Sequence, residues 1–259
     1  MRSVKLTLAY DGTAYSGWQL QPARKTIQGV LENILKKITT EEIRVLASGR
    51  TDAGVHALGQ VVGFRTSSLL PNDVLLRAIN AQLPHDISVL ECSNAPANFH
   101  AIGNAIRKKY RYVIHDGPIR PVFERTYCWK IQQRLDAQAM DQAAQNLLGK
   151  HDFSSFETSG APRESSIRNV TEICVKRGNA DRSDFVTLEI AADGFLYNMV
   201  RAIVGTLVEV GRHAQSEAWI SEVLEAKNRK MAGQTAPPQG LFLVNVDYQT
   251  CESHTSSLE

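Results

Sequence analysis

The sequence predicts an α+β protein built from two similar units, and three observations carry that prediction. Short runs of alternating apolar and polar residues are followed by stretches with apolar residues every three or four positions. These are the periods of a half-buried strand and an amphipathic helix. A segment of the first half recurs in the second. The composition, 43% hydrophobic and 22% charged over 259 residues, is that of an ordinary globular chain. A chain of this size buries roughly 70–75% of its unfolded surface and needs no covalent staples.

In order along the chain, residues 4–9 (Val-Lys-Leu-Thr-Leu-Ala) alternate and run into Asp11-Gly12, a strand followed by a turn. Residues 27–38 place Ile27, Val30, Leu31, Ile34, Leu35 and Ile38 on one helical face, with Thr26 as N-cap. A strand over Ile43–Leu46 leads into Ser48-Gly49, another covers Gln60–Phe64, and residues 72–83 form a second amphipathic helix through Val74, Leu75, Ala78 and Ile79. Two helices on one face of a sheet make a first unit. A basic strand, Arg107-Lys-Lys-Tyr-Arg-Tyr-Val-Ile, precedes a helix from Asp136 to Leu148 closed by Gly149. Residues 186–197 then align without gaps on residues 4–15 at a constant offset of 182. Val4/Val186, Leu6/Leu188, Leu8/Ile190, Ala9/Ala191, Asp11/Asp193, Gly12/Gly194 and Tyr15/Tyr197 correspond, so a duplicated unit is the better reading, and a helix follows again near Met199–Val210. Polar loops with Gly or Pro are expected at 157–168 and 228–240. The expected organisation is a first unit over residues 1–103, a second over 104–249 and a disordered tail over 250–259, with a cleft between the units as the natural place for a site.

The net charge is +2, from 29 basic and 27 acidic residues. That balance announces no partner, because local clustering matters more than the total. Cys92, Cys128, Cys174 and Cys251 stand far apart with no paired spacing, which suggests neither a zinc site nor a disulfide framework. The N-terminus lacks the apolar core of a signal peptide, and the most apolar stretch, Ala202–Val210, is too short to span a bilayer. A cytoplasmic protein without membrane contact is expected.

The segment richest in chemistry is Gly49-Arg-Thr-Asp-Ala-Gly-Val-His, between two predicted strands. Two glycines bracket an acidic residue and let the backbone turn sharply or be approached closely. Local chemistry leaves three readings open. The segment is a tight turn whose Asp bonds its own backbone, a loop presenting the Asp52 carboxylate outward, or a partial metal site of Asp52 and His56, for which it supplies too few ligands.

Arg50-Thr-Asp-Ala-Gly-Val-His-Ala resembles the signature of the tRNA pseudouridine synthase A family. Further stretches resemble that family in its order and approximate spacing: Tyr10-Asp-Gly-Thr-Ala-Tyr-Ser-Gly-Trp-Gln-Leu-Gln, Phe99-His-Ala, Lys109-Tyr-Arg-Tyr, His151-Asp-Phe-Ser-Ser-Phe, Phe195-Leu-Tyr-Asn-Met-Val-Arg-Ala-Ile-Val-Gly and Gly240-Leu-Phe-Leu-Val. Nearly the whole chain is covered, and this context is what gives the short motif its weight. The resemblance implies the pseudouridine synthase fold: two ferredoxin- or RRM-like α+β units whose antiparallel sheets flank a basic active-site cleft. It also implies an isomerase that needs no cofactor or metal. That enzyme converts uridines 38, 39 and 40 of the tRNA anticodon stem-loop to pseudouridine, working as a homodimer whose tRNA touches both subunits.

Residue by residue, the resemblance makes Asp52 the nucleophile, a role for which a carboxylate suits a reaction at a glycosidic bond. It makes Arg201 the arginine paired with it and Tyr110 the ring that stacks on the target base and assists in removing the C5 proton. Leu241 resembles the apolar residue that closes the pocket. Arg50 matches an arginine that fills the space vacated by the flipped base, an extrusion that costs a few kcal/mol. Arg107, Lys108, Lys109 and Arg111 are candidates to meet phosphates, with Arg24 and Lys25 as helpers. One departure stands out. Ile102 follows Phe99-His-Ala where many members carry an arginine, which removes one expected RNA contact. Three other functions are weighed against this one: a synthase for another RNA, a non-catalytic RNA-binding module, and a metal-dependent hydrolase using His56, His100 and Asp52.

Overall fold

The computed structural model describes residues 1–158 and 165–249. Strict alternation makes β1 (Arg2–Tyr10) a strand with Val4, Leu6, Leu8 and Tyr10 buried on one face. Helix α1 (Ile27–Thr39) starts where the Thr26 side chain accepts the Gly29 N–H, and Leu31 and Leu35 are its buried stripe. The strand expected over Ile43–Leu46 forms only as β2 (Leu46–Ala47). Ile43 and Val45 are buried without joining a ladder, and the Val45 N–H is taken instead by the Glu32 carboxylate at 3.0 Å. Strand β3 (His56–Thr66) is longer than expected and absorbs the end of the glycine-bracketed loop. Helix α2 (Asn72–Asn80) stops short of residue 83, where Asn80 turns its side chain to both backbone groups of Val89 in β4 (Ile87–Ala95), each at 2.8 Å.

The second half begins with the basic strand β5 (Ala105–His115), followed by β6 (Trp129–Lys130). Asp136 caps α3 (Ala137–Ala144) through the Ala139 N–H at 2.9 Å. That helix tightens into a 3₁₀ turn over Gln145–Leu147, so Gly149, at φ +93°, opens β7 (Gly149–Asp152) rather than ending the helix. Strands β8 (Ile167–Arg177) and β9 (Phe185–Ala192), helices α4 (Met199–Gly211) and α5 (Trp219–Ala226), and strand β10 (Leu241–Tyr248) complete the elements. The expected tail at 250–259, and residues 159–164 of the expected polar loop, lie outside the described residues.

The strands form one largely antiparallel sheet in the order β4-β1-β3-β10-β5-β9-β8-β7. The two copies of the repeated segment occupy equivalent places: β1 lies antiparallel between β3 and β4, and β9 lies antiparallel between β5 and β8. Strand β10, last in the chain, fills the middle. It runs parallel to β3 (Phe242 opposite His56, Leu243 opposite Ala57) and antiparallel to β5 (Leu243 opposite Tyr110). The fold is therefore the expected α+β class, with its halves fused edge to edge through the final strand. A row of partners, Tyr10–Ala57–Leu243–Tyr110–Ile190, crosses the seam on the buried face.

Candidate active site

The loop between β2 and β3 is built on buried polar contacts. The Ser48 hydroxyl donates to Gln60 Oε1 at 2.7 Å, and Gln60 Nε2 returns a bond to the Gly49 carbonyl at 2.9 Å. Thr51 is buried, with its hydroxyl 2.8 Å from the Tyr10 hydroxyl and its carbonyl accepting the Trp18 N–H at 3.0 Å. Burial pushes the Tyr10 phenol up to about 12, partly offset by its bonds to Thr51 and Gln60. The loop closes through Val55 N–H to the Asp52 carbonyl at 3.1 Å, across Gly54 at φ +76°. The segment after β1 lies directly on it. A Cβ on Gly12 would sit 2.0 Å from the Val55 carbonyl oxygen, and one on Gly17 would sit 2.6 Å from that of Thr51. With its main chain pinned from both sides, the loop presents the side chains of Arg50 and Asp52 outward.

That carboxylate meets Arg201, which stands in the first turn of α4: Nη1 lies 3.1 Å from Asp52 Oδ2. The Arg201 side chain is 15% exposed and that of Asp52 31%, so the pair is sheltered but open on the carboxylate side. Arg201 also donates through Nε to the Ala236 carbonyl at 2.7 Å and through Nη1 to Asn198 Oδ1 at 2.9 Å, and its own carbonyl accepts the Ala236 N–H at 3.0 Å. An unpaired cation among the apolar residues of α4 would be costly, and these contacts remove the penalty.

Tyr110 is buried on β5 in the same transverse row as Tyr10, and its ring meets Phe195 edge-on at 5.0 Å. Burial, with Tyr10 and Asp52 adding to it, raises its pKa above the ordinary phenol value, so it is a neutral phenol at physiological pH. Asp52, Arg201 and Tyr110 are thus brought to one place from a loop, a helix and a strand. Leu241 is buried at the start of β10 opposite Tyr112, whereas the strand neighbour of Tyr110 is Leu243.

The basic candidates divide by strand alternation. Lys108 lies on the face of Tyr110 and donates to the Ser48 carbonyl at 2.7 Å, tying β5 to the loop. Arg107, Lys109 and Arg111 lie on the opposite face, engaged by carboxylates. Arg107 contacts Glu172 at 2.6 Å and Asp247 at 3.0 Å, Lys109 contacts Glu189 at 2.7 Å, and Arg111 contacts the same Glu189 at 2.6 Å. Arg50 is exposed beside Asp52, Arg24 is exposed in the segment before α1, and Lys25 sits 4.4 Å over the Tyr15 ring. Ile102 is exposed.

His56 faces away from Asp52. Its Nδ1 accepts the Gly12 N–H at 3.0 Å and its Nε2 lies 3.0 Å from the Thr126 carbonyl, while the ring stacks on Phe242 at 4.7 Å. His100 accepts the Gly103 N–H at 2.9 Å, and among the described residues no group of three or more His, Cys, Asp or Glu could hold a metal ion. Sequence reasoning did not single out Gln60, Tyr10, Asn198 or Ala236. Only the first gave a signal, an amide opening the apolar run Val61–Phe64.

Residues 7–102 and 143–249 match the family model described as tRNA pseudouridine synthase. A tRNA pseudouridine synthase A of Thermoanaerobacter sp. (strain X514) is 44% identical over 248 residues, covering 96% of this chain and 100% of that one. One of Acetivibrio thermocellus is likewise 44% identical over 248 residues, with the same coverage of 96% and 100%. One of Halalkalibacterium halodurans is 46% identical over 243 residues, 93% of this chain and 91% of that one.

Proposed function

The chain belongs to the tRNA pseudouridine synthase family, isomerases acting on tRNA uridine, and from that premise we propose that Asp52 is its nucleophile and uridines 38, 39 and 40 of the anticodon stem-loop its targets. The observation that carries the reading is the 3.1 Å contact between Asp52 and Arg201. It joins two motifs 149 residues apart at the one carboxylate the loop holds out.

In the proposed reaction the bond between ribose C1′ and uracil N1 breaks, the base turns, and a bond forms between C1′ and C5; the C5 proton passes to solvent and N1 takes one up, so the net change is an isomerisation. Asp52 supplies the charge that promotes cleavage at the sugar, as carboxylates do in retaining glycosidases. Arg201 holds that carboxylate in place through the charge-assisted contact. Tyr110, kept neutral by burial, acts as a stacking face for the extruded base. Leu241 bounds the pocket from β10. The two units of the reading, residues 1–103 and 104–249, then contribute separately: the loop from the first, Tyr110 and Arg201 from the second.

Arg50, exposed next to Asp52, is the side chain placed to fill the gap left by the base. Arg24 and Lys108 are the phosphate contacts closest to this reading. Arg107, Lys109 and Arg111 join them only by releasing Glu172, Asp247 and Glu189. A homodimer would cover the exposed apolar segment of Ile119 (79%), Val122 (63%) and Phe123 (87%). This reading places the enzyme in the cytoplasm with its tRNA.

The test is tritium release from tRNA labelled at uridine C5, with release sites mapped by a pseudouridine-specific probe. The wild-type chain should release tritium from the three anticodon-arm positions, and Asp52→Ala should release essentially none. Release by Asp52→Ala, or modification confined to another arm, would overturn the proposal.

A further inference from the structure

Asparagine at the residue before a helix ordinarily adopts an extended conformation and caps the first turn with its side chain. Asn198, in that place before α4, does neither. Its backbone is left-handed (φ 62°, ψ 6°) and its side chain makes no capping bond. The amide is used sideways instead: Oδ1 accepts from Arg201 Nη1 at 2.9 Å, and Nδ2 donates to Thr158 Oγ1 at 3.2 Å. The guanidinium, which only donates, fixes which way the amide faces, because the reversed amide would set an NH₂ against it, and the Thr158 hydroxyl takes the Nδ2 hydrogen on the other side. Nη1 carries two hydrogens, and its two partners are Asn198 Oδ1 and Asp52 Oδ2. Nε is held by the Ala236 carbonyl.

We propose that Asn198 is a positioning residue that orients the Arg201 guanidinium so that one Nη1 hydrogen points at Asp52; this rests on Asp52 being the reacting carboxylate. The local cap and the common backbone conformation are both given up for that contact. A residue selected only to start the helix would use its side chain on the helix.

The charged and titratable groups facing this point among the described residues are Asp52 from the loop, Arg201 itself, and Tyr110 and Tyr112 from β5. Both phenols are pushed up chiefly by burial and stay neutral.

Two variants separate positioning from scaffolding. Asn198→Gly keeps the left-handed backbone and removes Oδ1. Asn198→Asp keeps the shape and adds a second carboxylate to the same guanidinium. Single-turnover tritium release should fall about 10-fold or more in Asn198→Gly, the loss typical of a hydrogen bond to a charged group, with tRNA affinity within about twofold of wild type. In Asn198→Asp, whose carboxylate competes with Asp52 for the same guanidinium, the single-turnover rate should also fall about 10-fold or more at unchanged tRNA affinity. A purely structural residue would change melting temperature and leave the single-turnover rate of the folded enzyme alone. A wild-type rate in either variant overturns the inference. If Asn198→Gly does not fold, the Asn198→Asp rate decides. The Asp52→Ala control keeps the two proposals distinct, because activity there would sink the nucleophile assignment itself.

Discussion

Gly12→Ala is a sharp test of the idea that the loop proposed to carry the nucleophile is aimed by the segment lying on it. Gly12 is not in the left-handed region, so alanine meets no backbone strain there and the contact alone decides. The new Cβ would sit 2.0 Å from the Val55 carbonyl oxygen and 2.7 Å from its carbon, both backbone atoms that cannot swing aside. Restoring an ordinary separation requires about 1 Å of movement between the two segments. The loop is short and hydrogen-bonded from Val55 back to Asp52, so the shift passes to the carboxylate. A misplacement of about 1 Å costs on the order of 100-fold in rate, and overpacking of this kind costs about 1–3 kcal/mol in stability. The assay is single-turnover tritium release alongside tRNA binding and a denaturant melt. Gly49→Ala is the control: it lies in the same loop, but its added Cβ would meet only the end of the Lys108 side chain, at an ordinary 3.4 Å, and its rate should stay within about threefold of wild type. A Gly12→Ala enzyme as fast as Gly49→Ala would refute the reasoning.

Two further outcomes are expected. Arg201→Ala removes a half-sheltered ion pair and leaves the Ala236 and Asn198 acceptors unmatched, so kcat should fall about 100-fold with little change in tRNA Kd; a pure affinity loss at a normal single-turnover rate contradicts the pairing. His56 is held below its ordinary value of 6.5 by burial, which outweighs the nearby Asp11 carboxylate and the Thr126 and Gln239 carbonyls. The unfolded chain therefore takes up a proton below about pH 6.5 that the folded chain resists, and stability falls with pH through that range until the folded histidine itself protonates. His56→Gln should flatten this acid-side dependence of the melting temperature, and an unchanged slope would exclude His56 as its source.

The parts legible in the sequence were those decided locally. The β1 alternation, the Thr26 cap and the α4 span follow from residues within a few positions of each other, and the structure has all three. The errors came where a distant group outbid the local pattern. Ile43–Val45 has the apolar character of a strand, but Glu32 of α1 takes the Val45 N–H. Read from the sequence, Arg107, Lys108, Lys109 and Arg111 form one set, although strand alternation sets Lys108 with Tyr110 on one face and the other three on the opposite one. The carboxylates that occupy the latter come from β8, β9 and β10, strands whose adjacency no local signal announces. The Asp52–Arg201 contact was likewise legible only through the family resemblance, because nothing near either residue names the other.

What assembles the site is the placement of β10. Its Leu243 stands between Ala57 and Tyr110, and so completes the row that carries Tyr10 and Tyr110 on one face beneath the loop. Side chains alternate with period two, so a slip of one residue would bring Phe242 or Val244 into that row and turn Leu243 to the far side. The register is held at the start of the strand. Phe242 stacks on His56 across β3, and the Gly240 backbone lies against the Tyr112 ring, where an added Cβ would approach to 2.7 Å. His56 and Gly240 therefore belong to the motifs for a physical reason independent of chemistry: they set the phase of the strand that brings the loop of one half over the tyrosine of the other.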